Sequence, residues 1–344
     1  MLKKLKRACL GFAKYSGLFG LAANSSRRNS SLLVLGYHGV SLEDEHLWNG
    51  ALYLSPETFR SRIETIRRHR CSVLDLDRAL QLLSDEELPE RAVVLTFDDG
   101  TCDFHKIVWP ILKEYRYPAT VYVTTYWMSL GHPVVPVTWS YLFWKSRNCG
   151  IFDLGPVLGG RRTYDLRHQA GRDDAVRLLM SFSESEHLDG EQQNAISVKL
   201  ATMLRVDFDA LRSKRILQLM KPEELHELSG NGASVQLHMH RHRSPDSREM
   251  FLENLKNNYV YLNQITSTTP SHFCYPNGLY KPQFLPWLRE FGVKSATTCD
   301  PGLASSKVNP LLVPRLIDSS FLSKVEFESW LVGVGSLLPR RHAA

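Results

Sequence analysis

Apolar and polar positions along the chain alternate between two periods. Residues 31–40, SLLVLGYHGV, open with a continuous apolar run that reads as a buried strand ending in Tyr37-His38-Gly39. In SPETFRSRIETIRRHR (55–70) the period changes: Phe59, Ile63 and Ile66 share one helical face, with Ser55 as N-cap and Pro56 at the first helical position. SVLDL (72–76) predicts a strand and residues 77–83 a short helix. RAVVLTFDDG (91–100) predicts a buried strand that delivers Thr96, Phe97, Asp98 and Asp99 to a glycine. CDFHKIVWPILKEY then carries Phe104, Ile107, Val108, Ile111 and Leu112 as a helical stripe, and ATVYVTT (119–125) is another strand.

The rhythm stops across 126–220, which is aromatic at its start, glycine-rich at LGPVLGGRR and helical at its end. It resumes with helix KPEELHELSG (Gly230 as C-cap), strand ASVQLH, a helix over 247–264, strand SHFCY, a helix over 281–291, strand VKSATT and a last strand in LLVPRL. Strand–helix–strand repetition implies parallel strands joined by crossover helices, an α/β fold. The pattern divides the chain into a segment 1–30, a body 31–320 with a largely helical insertion at 126–220, and a C-terminal helix and tail, 321–344.

Composition changes this picture at one end only. With 344 residues, 43% hydrophobic and 23% charged, the chain can bury a large core and is neither disordered nor fibrous. Its net charge of +6 is local: seven basic residues lie in 1–30 with no acid before Glu43, which leaves residues 31–344 at −1. The body therefore lacks the basic field of a nucleic-acid binder. In MLKKLKRACLGFAKYSGLFGLAANSSRR, Leu2, Leu5, Cys9, Phe12 and Phe19 fall near helical spacing among lysines. That suits a cationic amphipathic helix on an anionic membrane surface, a peripheral contact through residues 1–29. A secretory leader and a frayed basic tail are the competing readings, although Lys14 interrupts the apolar part and no clean cleavage site follows. No run of 18 apolar residues is present to span a bilayer. The six cysteines show no CxxC pairing, which argues for reduced thiols rather than a disulfide framework or a cysteine zinc site. The resulting expectation is a cytoplasmic protein, peripheral on the inner membrane face, ahead of a secreted or periplasmic one.

Each candidate site falls at the C-terminal end of a predicted strand, the edge where parallel β/α architectures build their sites. LHMHRHRSP places His238, His240 and His242 within five residues. Such imidazoles repel when protonated, so a cation acting on neutral rings is one reason to gather them; a solvated basic loop is the other. His238 and His242, four apart, can converge on one ion from a helical turn or a curved loop. Two adjacent carboxylates, Asp98 and Asp99, are by themselves common turn acids. Together with two histidines they offer an N,N,O set for a divalent metal and a second carboxylate beside it as a base, and a cation offsets their mutual repulsion.

TFDDG, the His-x-x-x-His of HMHRH and FCYPNG (273–278) occur in the order of the first three motifs of the polysaccharide deacetylases, the NodB-homology or carbohydrate esterase family 4 enzymes, which the chain resembles over roughly 31–318 apart from the insertion. The resemblance implies a distorted (β/α) barrel and metal-dependent removal of N-acetyl groups from the amino sugars of a polysaccharide or oligosaccharide. It implies Asp98 as catalytic base, Asp99, His238 and His242 as metal ligands, and the backbone N–H of Asn277 as part of the oxyanion hole. Zinc ranks first by ligand type.

The chain departs from the family pattern at three places. Met239 stands where a hydroxyl residue is usual, and Cys274 replaces the arginine that orients the base. The late Leu-x-x-His motif reads LLVPRLID, without its histidine. In relatives with a rearranged motif order the general acid comes from a Tyr-His after the first strand, so GYHGV makes His38 the candidate acid. Arg315 is left to line the pocket or pair with Asp98, and His240 is left without a role. Alternative functions are a deacetylase or deformylase of a lipid-linked sugar, and an inactive carbohydrate-binding member of the fold.

Overall fold

The computed structural model describes residues 2–338. Eight parallel strands form one curled sheet: β1 (Leu33–Tyr37), β2 (Val73–Leu74), β3 (Val93–Phe97), β4 (Ala119–Val123), β5 (Ala233–Leu237), β6 (His272–Cys274), β7 (Ser295–Thr297) and β8 (Leu316–Ile317). Their order is β7-β6-β5-β4-β3-β1-β8, with β2 paired to the first residues of β3. One irregular segment draws the two edges together. Val313 donates to the Ala296 carbonyl and accepts from Thr298, both at 2.9 Å, while Leu316 and Ile317 pair with Leu35 and Gly36 of β1. The result is a distorted (β/α) barrel.

Side-chain alternation along each strand sorts the core. Leu33, Leu35, Val93, Leu95, Val121, Val235 and Phe273 face outward into the main helix-covered core. The opposite parity carries Val34, Val94, Tyr122 and Cys274, joined by buried Thr96, Gln236, Thr297 and Arg315. The barrel interior is therefore partly polar, and its polar atoms need internal partners.

Most predicted elements form where their local chemistry places them. Ser55 accepts from Thr58 N and Pro56 opens the helix Pro56–Arg68, which buries Phe59, Ile63 and Ile66. Several boundaries differ from the sequence reading: SVLDL, for one, is a strand only at Val73–Leu74, with Asp75 as cap and Leu76 opening the next helix. The stripe after Asp99 is a π-helix, Phe104–Val108, before an α-helix, Trp109–Tyr115. Gly230 lies inside its helix, Asn231 caps it, and Gly232 takes the positive φ of 95°. The helix expected over 281–291 begins only at Phe284. In LLVPRL only Leu316 is in a strand, because Pro310–Leu312 form a 3-10 turn.

Between Tyr126 and Lys214 the chain adds helices Tyr126–Leu130, Val135–Lys145, Gln169–Ser185, Gly190–Leu204 and Phe208–Lys214, with a small hairpin at Ile151–Asp153 and Thr163–Asp165. Trp139, Leu142, Phe143, Leu179 and Leu200 make their own apolar cluster.

The N-terminal segment is helical over Leu2–Tyr15 and Leu18–Ala23, and it is anchored to the body. Leu10, Phe19 and Ala23 pack on Val332, Arg7 bonds Glu326 at 3.0 Å, and Lys14 bonds Glu328. The predicted apolar face is thereby divided: Phe19 is buried, whereas Leu5, Cys9 and Phe12 face solvent. The helix Lys324–Leu331 supplies both glutamates; residues 339–344 of the expected tail lie outside the described residues.

Arg28 completes the anchor, donating to the carbonyls of Leu331, Ser31 and Ala92 at 2.7, 2.9 and 3.2 Å from a fully buried position. Arg28→Ala should lower the unfolding free energy by about 3 kcal/mol, since it leaves three buried carbonyls short of a charged donor. Chemical denaturation checks this; an unchanged midpoint would mean that the segment lies outside the cooperative fold.

Candidate active site

Asp98 and Asp99 leave the end of β3 in opposite directions. The Asp98 N–H donates to the Tyr37 carbonyl at 2.8 Å, continuing the strand, and its side chain points into the barrel. Asp99 takes a left-handed φ of 68°, which turns its carboxylate outward to the rim. Gly100 follows with φ 79°, and a Cβ there would meet Val123 Cγ1 at 2.9 Å, so both conformation and space demand glycine.

Asp99 Oδ1 stands 3.3 Å from Nε2 of His238 and 3.3 Å from Nε2 of His242. A curved loop brings the two rings together: Met239 and His242 both have positive φ, 63° and 53°, and the ring centres are 4.8 Å apart. His238 Nδ1 meets the Cys274 carbonyl at 2.8 Å. A carbonyl only accepts, so Nδ1 carries a hydrogen, and Nε2, on the Asp99 side, is the atom left to ligate whenever the ring is neutral. Asn258 fixes the strand end, accepting from His238 N at 2.9 Å and donating to the Val123 carbonyl at 2.9 Å. Burial opposes a charge on His238, yet the Cys274 group, Asp99 and Asp98 together lift its pKa well above the imidazole range. The same concentration of negative potential favours a cation among these atoms.

A metal fits this set. One ligand atom each from Asp99, His238 and His242 lies within 4.8 Å of the others. Asp98, His238 and Cys274 meet the same distance test, but Arg315 already holds both Asp98 and the Cys274 sulfur. A metal there would sit against a guanidinium.

Arg315 resolves how Asp98 is positioned. Its two terminal nitrogens bond the two Asp98 oxygens at 2.7 and 2.8 Å, a bidentate pair with the arginine 0% and the aspartate 2% exposed. Nε donates to the Thr298 carbonyl at 2.9 Å, and one terminal nitrogen also reaches Cys274 Sγ at 3.0 Å. Burial pushes the Asp98 carboxyl up, but Arg315 overrides it and holds the group below the usual carboxylate range. Cys274 leaves the space in which this guanidinium lies.

The structure brings the other predicted residues to the same rim. His38 Nε2 lies 3.9 Å from Asp98 Oδ2, too far for a hydrogen bond. His38, Asp99, His242 and Asn277 all line one cavity of about 770 Å³. Asn277 occupies the Pro276–Gly278 turn with φ 56°. His240 turns away: its Nδ1 meets Thr125 Oγ1 at 2.8 Å and its ring stands edge-on to Tyr126. It belongs to the wall between the histidine loop and the insertion. No sequence signal identified Tyr126 and Trp127 as cavity residues, because the insertion that presents them has no pattern tied to the barrel; Arg241, in the histidine loop, lines the same cavity.

The family described as polysaccharide deacetylase matches residues 85–138 and 195–296; the stretch left between them lies within the inserted helices. Poly-beta-1,6-N-acetyl-D-glucosamine N-deacetylase of Staphylococcus aureus (strain N315) is 28% identical over 110 residues, which cover 28% of this chain and 37% of that protein. The protein of the same description from Staphylococcus epidermidis is 27% identical over 106 residues, with the same coverage. The chain thus matches little over a third of the length of these curated relatives. In fold it is similar to the Streptococcus pyogenes deacetylase PplD, with TM-score 0.58 and 18% identity over 90% of this chain and 99% of that one. It is also similar to IcaB from Ammonifex degensii, with TM-score 0.53 and 15% identity over 89% and 97% of the two chains.

Arg315→Leu should destabilise the fold by about 3–5 kcal/mol near neutral pH, the loss expected when one partner of a buried pair is removed. Because the folded Asp98 pKa is depressed, the pair's contribution is present above the unfolded value of about 4 and is lost as pH falls through the folded value. The gap between wild type and variant should therefore narrow in acid, where Asp98 takes a proton in both. Urea denaturation across pH measures it; a gap independent of pH would indicate lost packing rather than a lost charge pair.

Proposed function

We propose that this chain, which belongs to the polysaccharide deacetylase family, is a metal-dependent hydrolase that removes N-acetyl groups from the amino sugars of a polysaccharide or oligosaccharide. The observation that carries the reading is the convergence of Asp99, His238 and His242 beside a second carboxylate, Asp98, held by Arg315. Asp99, His238 and His242 would hold a divalent cation, zinc first by its ligand type, which when bound would supply Lewis-acid polarisation of the amide oxygen and a more acidic water. Asp98, kept ionised by Arg315, accepts the proton of the attacking water. The Asn277 N–H at the cavity wall donates to the developing oxyanion. His38 gives a proton to the departing amine; its Nδ1 is buried with no hydrogen-bond partner among the described residues, so no acceptor fixes its tautomer.

The protein should bind about one divalent ion, lost in Asp99→Asn and His242→Ala but kept in Asp98→Asn, which should slow acetate release ~10²–10⁴-fold. His38→Ala should slow amide cleavage while sparing an activated aryl acetate, whose leaving group departs without a proton. Metal retention in Asp99→Asn, or equal damage to both substrates in His38→Ala, would remove the assigned roles. No acetate release from any N-acetylated glycan would favour the inactive sugar-binding reading.

The second part of the proposal concerns location: a cytoplasmic protein, peripheral on an anionic membrane face. Leu5, Phe12, Tyr15, Leu18 and Leu21 are exposed on the two N-terminal helices, Phe12 at 74% and Tyr15 at 89%. Lys4 and Arg27 are exposed in the same segment, which supports an anionic surface as the occupant. The six cysteines are all free, in keeping with a reducing compartment, and no helix among the described residues is long and apolar enough to cross a membrane. Phe12→Glu with Leu21→Glu should abolish flotation with phosphatidylserine vesicles. Flotation retained by that double variant would exclude this face.

A further inference from the structure

Arg241 lies between His240 and His242 and lines the same cavity as Asp99 and Asn277. Its guanidinium rests 4.0 Å over the centre of the Tyr126 ring. That ring is itself fixed: its hydroxyl accepts the Gly190 N–H at 3.1 Å, its backbone N–H donates to the His240 carbonyl at 2.8 Å, and the His240 ring braces it edge-on. The Arg241 backbone is tied as well, its N–H donating to Asn254 Oδ1 at 3.0 Å.

The other charges around the cavity are matched. Arg243 bonds Glu184 at 3.1 Å, and Asp99 faces His238 and His242. Arg241 has no carboxylate partner among the described residues; its recorded side-chain contact is the aromatic face. A guanidinium held over a ring face leaves its N–H donors free to reach a ligand, a fork matched to a carboxylate or phosphate. Holding it there before a ligand arrives lowers the ordering cost of binding. Trp127, Val137, Met180 and Leu188 add an apolar wall on which a sugar ring can lie.

We propose that Arg241, seated on Tyr126, forms an anion-reading subsite that binds a phosphate or carboxylate carried by the glycan next to the sugar under attack. This rests on the deacetylase reading for the identity of the ligand, but its test does not require turnover. The preferred substrate is then an N-acetylated glycan bearing acidic groups rather than a neutral homopolymer.

Calorimetric titration compares a neutral N-acetylglucosamine trisaccharide with the same trisaccharide carrying one phosphate or one glucuronate carboxylate. Wild type should bind at least one charged form about tenfold more tightly than the neutral form, and the two charged arms distinguish phosphate from carboxylate. Arg241→Gln should bring the charged forms to the neutral affinity, Arg241→Lys should restore part of the difference, and Arg161→Gln, at an exposed arginine that does not line the cavity, should leave it intact. Equal binding of all three ligands by wild type, no detectable binding, or an anion preference that survives Arg241→Gln would each overturn the assignment. Absent acetate release with an intact Arg241-dependent preference would instead count against the deacetylase reading alone.

Discussion

The pairing of Asp98 with Arg315 inside the barrel is the interaction on which the rest of the site depends. Two charges at 2% and 0% exposure are tolerable only together, because either one alone in that interior would lack a counter-charge. Their pairing explains how two adjacent carboxylates can end one strand. Asp98 continues the inward parity and meets a guanidinium, whereas the left-handed Asp99 turns outward and meets two imidazoles. Repulsion between neighbours is offset because each has its own partner on a different side of the backbone. Arg315 also binds the Thr298 carbonyl just past β7, and β8 begins at the next residue. The residue that orients Asp98 thus stands in the segment that draws the sheet edges together.

The rim is less uniform than the barrel. His238 is fixed by groups from the sheet and from the helix Arg248–Ile265, through Cys274 and Asn258. His240, in the same loop, reaches Thr125 and Tyr126 at the entrance to the inserted helices. A five-residue loop therefore serves the Asp99 cluster on one side and the cavity wall on the other. Differences in the insertion can alter what the cavity admits without displacing Asp99 or Asp98, since the inserted helices have their own apolar cluster.

The strand and helix rhythm was legible because each element carries its own signal: continuous apolar runs in the fully buried strands, and a cap with an apolar face in Pro56–Arg68. The pair His238 and His242 was legible from spacing, and the structure brings both to Asp99. The last strand was poorly legible. It has two residues, preceded by Pro314 and Arg315, and its place is set by contact with Gly36, where a Cβ would come within 2.5 Å of Ile317 Cδ1. Short parallel strands like this have little local preference and are defined by partners far away in sequence. The sequence leaves open whether Arg315 pairs with Asp98 or only lines the pocket, because the two residues are 217 positions apart. The role of His240 was similarly inaccessible, since it depends on where the insertion leaves Tyr126.

The N-terminal helix shows a different limit, because its sequence contains two candidate docking faces and amphipathicity alone does not choose between them. The body decides. Glu326 and Glu328 are buried at 4% and 1% exposure on the helix that receives it; Arg7 pairs with Glu326, and Lys14 joins Arg68 on Glu328. An unpaired buried carboxylate costs several kcal/mol, whereas leaving one Leu or Phe in water forgoes about 1.5–3 kcal/mol of burial. The cationic side therefore turns inward with Leu10, and Leu5 and Phe12 turn outward. Internal pairing leaves fewer cations on the outer face than the sequence total suggests, so association at that face combines its apolar surface with the exposed Lys4 and Arg27 and depends on ionic strength less steeply than seven basic residues would require.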